Sequence, residues 1–204
     1  MTAREYPAAR PKRPSYQPPA ALAALGDRSD PIAALHAAHE TAAVLLRTGR
    51  AAADPQVTRR LVEVTSEVGL DTLAQLWSAR PAASLPGALW RLYLLREWVC
   101  CDPHGAAREY AAGVRFTEPD HVVAGVDPPG PEEIARVADE ILRGAFEGDF
   151  AVALERAAAF CRVVSSGRAD VSPGPRELMQ AGRLQTMATD LAECARRWRQ
   201  GRLE

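Results

Sequence analysis

Lysine is all but missing from this chain, since of its 25 basic residues only Lys12 is not an arginine. Together with abundant alanine, that bias reflects a GC-rich, bacterial genome more simply than selection for guanidinium chemistry. Arginine clusters therefore carry reduced weight as functional signals. Neither sign of charge dominates: 25 basic residues against 26 acidic ones leave a net charge of −1. Such a balance gives no global attraction toward nucleic acid or an anionic membrane surface. No uninterrupted apolar run reaches the roughly 18 to 20 residues of a membrane span, and the N-terminus lacks the apolar centre of a secretory signal. The expected compartment is the cytoplasm, with no membrane partner. The four cysteines, three of them (Cys100, Cys161 and Cys194) within predicted helices, lack the dense, regular spacing of a secreted disulfide scaffold, so reduced thiols are expected.

Strand signals are missing as well, because no run of β-branched and aromatic residues alternates with period two. A glycine-rich phosphate loop, a nucleophile-elbow serine and a pair of acidic residues in acid–base geometry are all unreadable. Asp139 and Glu140, like Glu132 and Glu133, read as the solvated side of a helix.

What is present is a chain long enough for one domain with a sizeable core. Residues 1–28 form a proline- and arginine-rich tail, with Pro7, Pro11, Pro14, Pro18 and Pro19 among Arg4, Arg10, Lys12 and Arg13, and disorder is expected there. Residues 29–204 read as an all-α, single-domain bundle of about seven helices. Asp30-Pro31 and Asp54-Pro55 each place a capping carboxylate before a proline at the first helical position. The first opens a stripe of Ile32, Leu35, His39, Ala42 and Leu46, the second one of Val57, Leu61, Val64 and Val68. A short helix over residues 71–80 carries Leu73, Leu76 and Trp77. The stretch from Ser84 to Gly105 is apolar around nearly its whole circumference, which predicts a central helix buried among others and ended by Pro103. A short helical piece to Ala112 and then mostly loop are expected between Ala106 and Gly130. A hairpin then joins residues 131–148 to 149–166, and a last long helix carries Leu184, Met187, Leu191, Cys194 and Trp198 in a regular seam. That seam suits the chain's own core or a partner helix, and permits a homodimer.

Two clusters have ligand character. His36, His39 and Glu40 lie within one helical turn or so of each other, and Cys101 and His104 have the spacing of half a zinc site. Neither is complete. A site for zinc or another divalent transition metal would need both, or His121, to converge; otherwise His39 is a core histidine and no cofactor is expected. A helix-turn-helix drawn through Arg59 to Arg80 lacks basic residues on its second helix until Arg80, so it does not face an anionic groove. Arg196, Arg197 and Arg199 are better placed for phosphate, yet cations are expected in a last helical turn for dipole reasons alone.

The stretch from Gly148 to Phe160, GDFAVALERAAAF, resembles the turn and second helix of a tetratricopeptide repeat. The resemblance covers about one helix pair and implies a closely packed, alanine-lined hairpin. No 34-residue repeat recurs to imply an array.

The function expected from these residues is that of a non-catalytic accessory or regulatory protein acting on another protein, with Trp77, Trp198 and the Arg196, Arg197 and Arg199 cluster as contact residues. A metal-binding helical enzyme or sensor is the alternative. Nucleic-acid association through the tail and the C-terminal arginines ranks third.

Overall fold

A computed structural model of the chain describes residues 30–52, 54–124 and 130–203, apart from the side chains of Glu118 and His121. These residues form ten helices and no strand: α1 (Pro31–Ala52), α2 (Pro55–Val62), α3 (Val64–Val68), α4 (Leu70–Trp77), α5 (Leu85–Cys101), α6 (Pro103–Val114), α7 (Glu118–Ala124), α8 (Pro131–Glu147), α9 (Phe150–Val171) and α10 (Pro175–Arg199). The all-α class is as expected, and the buried apolar side chains make one contiguous core. The tail over residues 1–28 lies outside the described residues.

Local sequence sets most of the helix starts. The carboxylates of Asp30, Asp54, Asp102 and Asp149 accept from the backbone N–H of Ile32, Gln56, Gly105 and Ala151 at 2.8–3.0 Å, and Ser84 Oγ accepts from Gly87 N at 3.2 Å. Each satisfies a donor that the first helical turn leaves without an intrahelical partner. Asp102-Pro103 repeats the opening of α1 and α2, so the short helical piece expected to Ala112 starts at Pro103 and runs on to Val114. Proline ends α5 and, with Asp102 as its cap, begins the twelve-residue α6. A further helix, α7, also occupies the expected loop, and the stretch expected to run from Asp54 to Gly69 divides at Glu63 into α2 and α3.

The most deeply enclosed helix is α9 rather than α5. It packs against α5, α6, α7, α8 and α10, and Phe150, Leu154, Ala157, Ala158, Phe160, Cys161, Val163 and Val164 are fully buried along it. Small residues permit that density. At the crossing of α6 and α9 the backbones touch: a Cβ built on Gly167 would fall on the carbonyl oxygen of Glu109, and one on Gly113 on that of Val163. The seam of α10 packs on α9 within the chain, with Leu184, Leu191 and Cys194 buried and Ser165 Oγ donating to the Ala181 carbonyl at 2.8 Å. On the other side of α5, the buried Tyr93 hydroxyl donates to the Leu61 carbonyl at 2.6 Å and ties α2 to the core.

Two glycine substitutions should therefore have opposite signs. Gly167→Ala forces main chain apart and is expected to cost about 3 kcal/mol or more, or to prevent folding. Gly182→Ala, on the open face of α10 where nothing lies within 4 Å of the added carbon, should raise stability by about 0.5–1 kcal/mol. Urea unfolding followed by circular dichroism measures both; a neutral Gly167→Ala would refute the backbone contact.

Candidate functional site

The residues singled out by their chemistry do not gather. His36, Glu40, Cys101 and His104 are exposed and His39 is half-buried. His36 and Glu40 face outward in the first half of α1, whereas Cys101 and His104 flank the joint between α5 and α6. Among the described residues no three His, Cys, Asp or Glu side chains are arranged to hold a metal ion. The side chain of His121 lies outside the described residues. Partial burial raises the pKa of the neighbouring Cys100 thiol, an effect that Arg96 opposes.

Of the expected contact residues, Trp77 is fully buried and is a structural residue instead. Its indole N–H is shared between the Ala38 carbonyl and Thr41 Oγ1, both at 3.2 Å, so it fastens α4 to α1. Being on a short helix does not expose a side chain whose neighbours close over it. Trp198 is half-buried, edge-on to Phe150 at 5.0 Å between ring centroids, with the Arg50 guanidinium 5.3 Å from its ring centre. It pins the end of α10 to the start of α9. The terminal arginines face carboxylates of their own chain: Arg196 and Arg197 both engage Glu193, and Arg199 engages Glu155 on α9. The Arg199 hydrogen bond holds the Glu155 carboxyl below its usual range.

A concave apolar surface exists elsewhere, between α5 and α10. Trp90, Leu94 and Trp98 recur every four residues on α5 and stay half-buried, opposite Met187 on α10. Two adjoining depressions of about 240 and 260 Å³ share Leu94, Met187 and Arg183 and so form one groove. Leu95 and Leu184 lie in its floor. Beneath Met187, the Cys161 thiol is 3.8 Å from the thioether and is enclosed, and burial pushes its pKa up to about 12.

Charge is confined to the rim. At one end Arg168 clasps Glu109 through paired contacts of 2.8 and 2.9 Å, and its guanidinium lies 5.0 Å from the Trp98 ring centre. At the other, Arg91 meets Asp190 at 2.9 Å. Arg183, exposed between them, makes no ion pair among the described residues. Hydrocarbon, indole and thioether below a polar rim suit the binding of an apolar side-chain surface. The periodicity of Trp90, Leu94 and Trp98 was readable as part of an all-round apolar helix; which arc stays uncovered depends on where α10 lies.

No family model, curated protein or solved structure matches this chain. The tetratricopeptide resemblance stays confined to the α8–α9 pair, where Ala145, Ala153 and Ala157 are buried as an alanine-lined hairpin requires.

The thiols provide a check on this arrangement. Cys100 and Cys101 are exposed, and Cys161 and Cys194 buried. Burial pushes the two inner thiols up to about 12 and about 11. A thiol reagent at pH 8 should titrate two groups in the native protein and four in denaturant. Rapid native labelling of all four would contradict the packing of α10 on α9.

Proposed function

We propose that this protein is a non-catalytic helical accessory or regulatory factor that works by holding another protein in the α5–α10 groove. The half-exposed Trp90, Leu94 and Trp98 line carries the reading. Tryptophan and neighbouring aliphatic side chains, concentrated in a concave patch and ringed by arginine, have the composition of an interface centre more than of ordinary surface. Two of the rim's three arginines are already paired with carboxylates of this chain, so a partner that covers them needs little rearrangement there. The terminal arginines do not support a phosphate-binding alternative equally well, because Glu193 and Glu155 already neutralise much of their charge.

A cross-linking experiment tests this. A photoreactive amino acid placed at Leu94 should capture a partner in cells, whereas the same group at the exposed Val44 of α1 should not. Leu94→Glu should weaken retention of that partner at least about tenfold while leaving the helical circular-dichroism melt unchanged. Retention insensitive to Leu94→Glu would remove the groove from the proposal.

A further inference from the structure

We infer that the occupant of the groove is an amphipathic helix bearing a carboxylate that pairs with Arg183, a conclusion that rests on the docking function proposed above. Shape, backbone chemistry and charge lead to it separately.

The walls of the groove are two helices. Their main-chain groups are spent within each helix, so they offer no strand edge to which an extended peptide could add. Recognition must then come from side chains. From Trp90 to Trp98 the floor runs about 12 Å along α5 at 1.5 Å per residue, which is the length of slightly more than two helical turns. A helix lying between α5 and α10 would present apolar residues at i, i+4 and i+7 to Trp90, Leu94 and Trp98 and complete a three-helix layer.

Charge then selects among such helices. Arg168 is committed to Glu109 and Arg91 to Asp190. Arg183 lines both depressions and is the rim's one guanidinium without an ion pair among the described residues. Covering it with an apolar or basic surface would remove water from an uncompensated charge, which is unfavourable. A Glu or Asp on the flank of the incoming helix compensates it, and a guanidinium accepts a carboxylate through two parallel hydrogen bonds.

The test uses the full chain and three synthetic helical peptides, lactam-bridged to fix their conformation, with leucines at i, i+4 and i+7. They differ at one flanking position that carries Glu, Gln or Lys. Binding is read from the fluorescence of Trp90 and Trp98 and by calorimetry. The Glu peptide should bind at least about tenfold more tightly than the Lys peptide, with the gap narrowing as salt is added. Arg183→Glu should reverse the order, and Leu94→Glu should abolish binding of all three. Equal affinity for the Glu and Lys peptides would overturn the inference while leaving groove docking intact. Failure of every peptide to bind would also overturn it, and if partner cross-linking at Leu94 failed as well, the docking function would fall with it. A concentration-dependent dimer in sedimentation, dissociated by Leu94→Glu, would assign the groove to a second copy of this chain and refute the helical partner.

Discussion

The contact on which this structure depends is the crossing of α6 and α9 at Gly113 and Gly167. Backbone meets backbone there because neither residue carries a side chain. A close approach of this kind fixes distance and angle more tightly than two apolar side chains could, since main chain cannot change rotamer. One turn away the same crossing sets Glu109 against Arg168, whose side chains are 14% and 12% exposed. Two charges so withdrawn from water are tolerable only when each satisfies the other. Their paired geometry also places the guanidinium over Trp98. The end wall of the groove is thus a consequence of the glycine crossing beside it.

The position of α10 follows from α9 in turn. Leu184, Ala188, Leu191 and Cys194 are buried, and hydrogen bonding of Ser165 to Ala181 together with the Phe150–Trp198 edge contact registers α10 along nearly the full length of α9. A helix committed to α9 in this way can touch α5 only with its flank. The space between becomes a groove whose depth is set by Leu184 and Leu95. Closing it would require α10 to roll away from α9, at the expense of the better-buried seam.

How far the sequence reveals this depends on the range over which each feature is decided. Asp-Pro openings and the Asp149 cap are local, and those helices begin where they are read. Asp102-Pro103 carries the same local signature, but the termination rule for proline competes with the capping rule, and here both operate at once. The enclosure of Trp77 was not local: it depends on Ala38 and Thr41, far away in the chain, and no periodicity within α4 reveals it. The same holds for the ligand candidates, since three-residue spacing places His36 beside His39 but cannot carry Cys101 or His104 to them. The groove was half legible. An apolar belt around α5 was evident, and the expectation of complete burial followed from it. It was incomplete because glycines on α6 and α9, unremarkable in the sequence, draw the densest packing to α9.

Exposed apolar residues occur on every folded protein and singly require no explanation. Ile32 on α1 and Phe116 after α6 are 66% and 57% exposed, and neither lines the groove. Trp90, Leu94 and Trp98 differ in two physical respects. They are contiguous over two turns, so a single rigid surface can remove water from all of them together, and they are recessed, so each is already partly desolvated before anything binds. The remaining loss of side-chain freedom on binding is correspondingly small, because packing from below has already restricted the indoles. An anchor site needs that combination of retained apolar area and low ordering cost. The curvature of the groove, more than its hydrophobicity, therefore sets it apart from the other exposed apolar residues of the described chain.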